Sequence, residues 1–114
     1  MPKFMVLYNS SAKANELMAN ASPEEMKASM NEWIQWRDDL PEDVKFDFGL
    51  PLQAVSRVTT SGLTTSDSPV NGYATIEGES KEAVLDLLKN HPHLKRPDAT
   101  IDVLEMLSMP GLEA

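Results

Sequence analysis

The chain has 114 residues, which predicts a single domain over residues 1–114 built around one core. Hydrophobic residues make up 41% and charged residues 25% of a chain without cysteine, which is typical of a globular protein and excludes disulfides and thiolate sites. The net charge of −8 argues against nucleic acid or an anionic membrane as a partner, because both bind basic surfaces.

Neither export nor membrane insertion is expected. The apolar run at residues 4–8 is shorter than the hydrophobic region of a signal peptide. No apolar run approaches the roughly 18 residues of a membrane-spanning helix. We therefore expect a cytoplasmic protein with no membrane partner.

The first predicted element is a strand over residues 3–8. Apolar side chains alternate on both of its faces: Phe4, Val6 and Tyr8 on one, Met5 and Leu7 on the other. A strand with one face in water does not need this pattern. The connection at residues 9–21 is polar and alanine-rich, with room for one short helical turn.

The first helix has a clear start. Ser22 suits the N-cap, Pro23 the first helical position, and Glu25 completes a Ser-x-x-Glu capping box. One stripe then follows at spacings of three and four: Met26, Met30, Trp33, Arg37 and Leu40. Pro41 is expected to end the helix.

The middle of the chain predicts two strands. Residues 44–60 begin with a short irregular strand and continue with a firmer one over residues 54–60, which favour extended backbone. Residues 61–62 and 64–69 are turn-forming. The next strand is predicted over residues 73–76.

A second helix and a last strand complete the chain. Ser80 is the predicted N-cap, and Pro92 stops the helix. Its apolar side carries Ala83, Val84, Leu87, Leu88 and His91. The last strand is predicted over residues 100–107, apolar on both faces.

The order strand, helix, strand, strand, helix, strand predicts an α+β fold of the ferredoxin-like, split βαβ kind. In that fold two helices lie on one face of a four-stranded antiparallel sheet. The uncovered face would then carry apolar residues, at a cost of roughly 25 cal/mol per Å² exposed to water. We therefore expect a homodimer in which a second copy covers this face. The alternative is that residues 44–60 fold back over it.

Several segments resemble YCII-related proteins. Residues from Val70 to Val84 are similar to the family's GYxxIEAxSLEEA segment. The family's continuation, Pro-x-Leu followed by a strand, is matched by His91 to Leu94 and by Ile101 to Glu105. Lys3 to Tyr8 resembles the KYMLLIY start of the same family.

This resemblance implies a dimeric α+β barrel in which two ferredoxin-like sheets face each other and can enclose a pocket. Two family features do not carry over whole. The histidine of the namesake branch's His–Asp pair lies in the first half of the chain, whereas here no histidine precedes His91. The DGPF loop of another branch corresponds only to Asp67-Ser68-Pro69-Val70.

Three residues are candidate catalytic groups. His93 could transfer protons, because histidine titrates near neutrality, or it could be an ordinary loop histidine. Asp67 could be a general base or a turn former. Tyr73 could donate its hydroxyl to a ligand or simply pack on the sheet.

Two further residues are candidate ligand-binding groups. Arg37 falls within an apolar stripe, where it either extends outwards along the neighbouring tryptophans or reaches a carboxylate of the protein or a ligand. His91 could contact a ligand or cap the C-terminus of the second helix.

No metal or other cofactor is expected. The His-Pro-His sequence offers two ligands, with Asp98 or Asp102 as the alternatives for a third, and a metal site needs three or four in suitable geometry. No phosphate-binding, zinc-peptidase or hydrolase motif occurs. The function that we predict is the binding of a small organic molecule in a barrel or sheet–helix cavity, with cofactor-independent acid–base chemistry if the protein is catalytic. The alternative is a non-catalytic dimerisation or regulatory module whose barrel is filled by side chains.

Overall fold

The computed structural model describes residues 1–11, 16, 20–96 and 98–111. Its strands and helices, in chain order, are β1 (Lys3–Asn9), α1 (Pro23–Asp38), β2 (Lys45–Pro51), β3 (Ser56–Thr59), β4 (Gly62–Thr65), β5 (Val70–Glu77), α2 (Lys81–Leu88) and β6 (Thr100–Glu105). A 3-10 turn, Pro92–Lys95, follows α2. The helical turn considered for residues 9–21 falls largely outside the described residues.

Four of the strands form one antiparallel sheet in the order β2-β5-β1-β6. With α1 and α2 this is an α+β fold consistent with the ferredoxin-like arrangement that the sequence predicts. The buried core lies on one face of the sheet and consists of Phe4, Val6, Tyr8, Ala74, Ile76, Val84 and Leu88. Alternate residues of β1 and β5 supply five of these seven, because successive side chains of a strand point to opposite faces.

Helix α1 begins as the sequence predicts. The Ser22 hydroxyl accepts the N–H of Glu25, and the Glu25 carboxylate accepts the N–H of Ser22, so both halves of the capping box are present. The helix ends at Asp38, before the predicted end near Pro41. No residue of α1 is fully buried, because a cavity lies beneath part of its apolar stripe.

Both strands predicted in residues 44–60 are present, as β2 and β3, and the structure shows which of them joins the sheet. The strand that pairs with β5 is β2, whose Phe46 and Phe48 lie opposite Ile76 and Ala74. The residues of the firmer predicted strand form β3, which pairs only with β4 in a separate two-stranded hairpin. Residues expected to form turns supply β4. The hairpin is exposed along both strands and is an insertion between β2 and β5.

Helix α2 is also shorter than predicted. The Ser80 hydroxyl accepts the N–H of Ala83, which confirms the predicted N-cap. The helix ends at Leu88, so His91 lies beyond it. There His91 precedes the 3-10 turn, and its side chain accepts the N–H of His93. His91 therefore caps the start of that turn rather than the C-terminus of α2.

The face of the sheet opposite the helices has an apolar centre. Met5 is the Cα partner of Leu104, and Leu7 is the Cα partner of Tyr73. Leu104 is 48% exposed, while Met5, Leu7 and Tyr73 are half-buried. Charged side chains from Lys3, Lys45, Asp47, Glu77 and Asp102 surround this centre on the same face.

Candidate functional site

A cavity of about 340 Å³ lies between α1 and the end of the sheet. Its walls come from α1, β2, β5, the end of β1 and the loop after α2. Most of the wall is apolar, and the apolar side chains of α1 and β2 are Met26, Met30, Trp33, Phe48, Leu50 and Pro51. The polar residues that line it are Tyr8, Ser29, Asn71, Tyr73, His93 and Arg96. The ring of Tyr73 itself lies on the opposite face of the sheet, because Tyr73 is the Cα partner of Leu7.

Helix α1 presents its apolar stripe to this cavity. Met26, Met30 and Trp33 follow one another at spacings of four and three, so they share one face of the helix. Met26 is 51% and Met30 44% exposed, which places both thioethers at the opening to solvent. Trp33 lies deeper, with its ring 4.8 Å from that of Tyr8.

His91 lies behind the cavity wall in an aromatic enclosure. Its imidazole is 2% exposed. The ring centroids of Trp36, Trp33 and Tyr8 lie 4.4, 4.5 and 5.0 Å from that of His91. Burial, together with a smaller effect of the neighbouring His93, lowers the pKa of His91 from 6.5 to about 3. His91 is therefore neutral near pH 7.

The hydrogen bonds of His91 define its tautomer. Nδ1 accepts the backbone N–H of His93 at 3.0 Å, so this nitrogen carries no hydrogen. A neutral imidazole then carries its hydrogen on Nε2, which lies 2.9 Å from the hydroxyl oxygen of Tyr8. His91 is consequently the donor in that bond, and Tyr8 is the acceptor.

The hydroxyl of Tyr8 keeps its own hydrogen. Burial raises the pKa of Tyr8 above its ordinary value near 10, so the phenol is un-ionised at neutral pH. The bond from His91 uses a lone pair of the oxygen and leaves the O–H free to donate. No described residue accepts this hydrogen.

His93 ties the end of β1 to the loop after α2. Its Nε2 lies 2.9 Å from the carbonyl oxygen of Asn9, and because a carbonyl only accepts, Nε2 carries a hydrogen. Burial lowers the pKa of His93; the charge of Arg96 acts in the same direction, and the carbonyls of Asn9 and Thr100 oppose it. Both histidines of the chain are thus buried and committed to backbone contacts.

Arg96 is the one charged residue among the described residues that line the cavity. It is half-buried, and burial lowers its pKa while the charge of Asp98 opposes that shift. A guanidinium keeps its charge at any pH near neutrality. Among the described carboxylates none forms an ion pair with Arg96.

The candidate catalytic residues are not brought together. His93 and Tyr73 both belong to the cavity wall, but the ring of Tyr73 lies against Gly49 on the opposite face of the sheet. Asp67 lies outside that wall, on the exposed segment after the hairpin, where it accepts from Arg57 at 2.8 Å. This hydrogen bond lowers the pKa of Asp67, and the exposed carboxylate pairs with Arg57 rather than with a residue of the cavity wall.

The two candidate ligand-binding residues both lie outside the cavity wall. The Arg37 guanidinium lies 5.1 Å from the centroid of Phe48, and its Nε lies 3.4 Å from Asp38. Arg37 thus lies over an aromatic ring and reaches a carboxylate of the protein itself. His91 does not line the cavity; its Nε2–H donates to the hydroxyl of Tyr8, which does.

The sequence pattern does not indicate that Tyr8 and Arg96 are site residues. Tyr8 has the alternation of a core strand residue, and Arg96 sits in a short basic loop. A polar aromatic at the end of a buried strand was the available signal for Tyr8. It did not indicate His91 as the partner, which lies 83 positions away.

Neither a metal site nor a membrane span is found in the described part of the chain. No group of three His, Asp or Glu side chains in residues 1–11, 16, 20–96 and 98–111 is placed to hold a metal ion. None of the helices within the same residues is long and apolar enough to cross a bilayer.

Fold and site together define an α+β protein with a ferredoxin-like sheet and a mostly apolar cavity beneath its first helix. No protein-family model matches the chain, and no curated protein matches it. The similarity to YCII-related proteins therefore stays a prediction from the sequence motifs.

Proposed function

We propose that this protein binds a small organic molecule in the cavity beneath α1. The observation that carries the proposal is a concave space of about 340 Å³ within one chain, walled mainly by aromatic and thioether side chains. Small-molecule sites are commonly about 300–1,000 Å³ and combine an apolar wall with a few placed polar groups. The cavity meets both criteria.

The exposed residues at its opening supply a driving force for binding. Met26, Met30 and Leu50 are 51%, 44% and 68% exposed. Apolar surface removed from water contributes roughly 25 cal/mol per Å². A ligand with an apolar body would cover part of this surface without any rearrangement of the sheet.

The proposal includes a homodimer, as expected from the sequence. Its support is the apolar centre of the uncovered sheet face, formed by Met5, Leu7, Tyr73 and Leu104. Surrounding charges of both signs would allow a two-fold related copy to pair Lys with Asp or Glu. The dimeric barrel of YCII-related proteins would have this geometry. The cytoplasm stays the expected compartment.

Acid–base catalysis is the second candidate, because His93 and Tyr8 line the cavity. The bonding of His93 favours binding over catalysis, since its Nε2 hydrogen is held by the Asn9 carbonyl. The raised pKa of Tyr8 makes its hydroxyl a hydrogen-bond donor rather than a proton donor. The remaining alternative, a dimerisation module filled by side chains, predicts no ligand in this cavity.

The test is a fragment screen followed by amide chemical shifts, with one variant that blocks the cavity. Ser29 lines the cavity, whereas the adjacent Ala28 is exposed. Ser29→Trp should abolish binding of apolar fragments by occupying their space. Ala28→Trp adds the same side chain to the solvent side of α1 and should leave binding intact. Fragments that fail to shift the resonances of cavity residues, or that bind Ser29→Trp unchanged, would refute the proposal.

A further inference from the structure

The charge of the cavity is opposite to that of the protein. The chain carries a net charge of −8. Yet the described residues that line the cavity include no aspartate or glutamate, and Arg96 supplies a positive charge. That charge is half-buried and has no ion-pair partner among the described carboxylates. The charge of Asp98 acts on Arg96 without forming an ion pair, so the guanidinium is available to pair with an anionic ligand.

A second donor lies in the same wall. Tyr8 accepts from His91, so its own O–H has no acceptor among the described residues. The ring of His93 lies near both donors. Its centroid lies 5.1 Å from that of Tyr8, and the charge of Arg96 acts on its imidazole. The cavity therefore offers two donors and an apolar remainder.

We propose that the ligand of this cavity is a small organic carboxylate with an apolar body. The carboxylate would pair with Arg96 and accept from the Tyr8 hydroxyl, while the body would contact Met26, Met30 and Trp33. This inference rests on the proposed function and specifies its ligand class.

Other charge types fit the wall less well. A cationic ligand would meet Arg96 and find no described carboxylate in the wall. A phosphate or diphosphate carries more charge than one guanidinium balances, and its removal from water into an apolar cavity is costly. A neutral ligand would leave Arg96 without an ion pair to any described carboxylate. A single carboxylate balances one cation.

The test compares three probes with one skeleton: 3-phenylpropionate, 3-phenylpropanamide and 3-phenylpropylamine. Their dissociation constants are measured by amide chemical shifts and calorimetry. The carboxylate should bind about tenfold or more tightly than the amide, and the amine most weakly. Shifted resonances should include Trp33 and Arg96.

Variants of Arg96 separate local pairing from long-range charge. Arg96→Gln should reduce the preference for carboxylate over amide to about one, and Arg96→Lys should retain part of it. Arg57→Gln is the matched control, because it also removes one positive charge but lies on the exposed hairpin, paired with Asp67. The preference should survive in that variant.

Tyr8→Phe tests the second donor. It should weaken both the carboxylate and the amide, because either oxygen can accept from the hydroxyl. Unchanged affinities in Tyr8→Phe would overturn the role given to this residue.

The outcomes distinguish the inference from the function on which it rests. Equal binding of carboxylate and amide at the cavity, or a preference that survives Arg96→Gln, overturns the carboxylate inference and leaves the binding function standing. Failure of all three probes to bind at millimolar concentration overturns the carboxylate inference, and the fragment screen with Ser29→Trp then decides the binding function.

Discussion

The hydroxyl oxygen of Tyr8 lies 2.9 Å from Nε2 of His91, a bond that joins the first strand to the loop after the second helix. Both side chains are almost fully buried. A polar group in such a place is costly unless it is paired. The bond therefore both stabilises the closed end of the cavity and orients the hydroxyl of Tyr8.

Removal of the Tyr8 hydroxyl should destabilise the fold. Tyr8→Phe keeps the ring and its packing but leaves the Nε2–H of His91 buried without an acceptor. We expect the free energy of unfolding to fall by about 1–3 kcal/mol, measured by urea denaturation.

Tyr73→Phe is the matched control for that change. The Tyr73 hydroxyl has no hydrogen bond to a described residue, and the side chain is only half-buried. Its loss should change the stability by less than about 0.5 kcal/mol. Equal effects of the two variants would show that the bond from His91 contributes nothing.

Stability should fall as the pH is lowered below 6.5. The pKa of His91 is 6.5 in its ordinary state and about 3 in the fold. Between these values the unfolded chain binds a proton that the native imidazole does not. The free energy of unfolding should therefore decrease with falling pH in this window, by up to about 1.4 kcal/mol per unit, and this contribution should level off below pH 3.

His91→Gln isolates this contribution from that of the carboxyl groups. The variant removes the titrating group, so its stability should vary less steeply between pH 6.5 and 4. The lowered pKa of His93 acts in the same direction and stays in both proteins. Identical slopes for variant and wild type, measured by denaturation at several pH values, would contradict the assignment.

Two glycines of the cavity wall should respond differently to the same substitution. A Cβ at Gly49 would lie less than 3.0 Å from ring atoms and the carbonyl oxygen of Tyr73, whereas one at Gly72 would lie 3.5 Å from Cδ2 of Tyr8. Gly49→Ala should therefore cost about 1–3 kcal/mol. Gly72→Ala, at ordinary contact distance, should change the stability by less than about 1 kcal/mol. Thermal unfolding of both variants provides the measurement. Equal losses of stability in the two variants would contradict the difference in space at these two glycines.

If the proposed dimer forms, a charged substitution should disrupt it on the uncovered sheet face and not on the helix side. Leu104→Lys places a charge in the apolar centre of the uncovered sheet face and should produce a monomer in sedimentation. Leu85→Lys is the control, because Leu85 is 38% exposed on α2, on the opposite side of the sheet. A wild-type protein that sediments as a monomer at micromolar concentration would exclude the dimer.

The local signals of the sequence predicted the beginnings of both helices. Ser22 and Ser80 are N-caps in the structure, because a cap depends on residues three or four positions apart. The two-sided β1 was also predictable from its alternation. The ends of the helices were less predictable, since α1 stops before Pro41 and α2 stops before Pro92.

The sequence predicted two strands in residues 44–60 but not which of them is the edge strand of the sheet, and the reason is physical. Residues 56–59 have the β-branched side chains that favour extended backbone, and they are indeed a strand. Preference for extended backbone does not specify the partner, however. Phe46 and Phe48 pack beneath α1 and make β2 the sheet strand, despite the Gly and Pro in that strand.

The cavity residues were the least predictable part. Tyr8, His91 and Arg96 are brought together only by the pairing of β1 with distant strands and by the turn after α2. The tautomer of His91 depends on a backbone N–H two residues away. No pattern of residue types indicates such a bond before the turn is known.

The two methionines at the opening have a consequence for ligand choice. Met26 and Met30 are unbranched and change rotamer readily, so the rim that they form adapts to bodies of different outline. Shape should then discriminate poorly among ligands. Ligands with different apolar tails should bind with similar affinity, whereas a change in the head group should reduce the affinity.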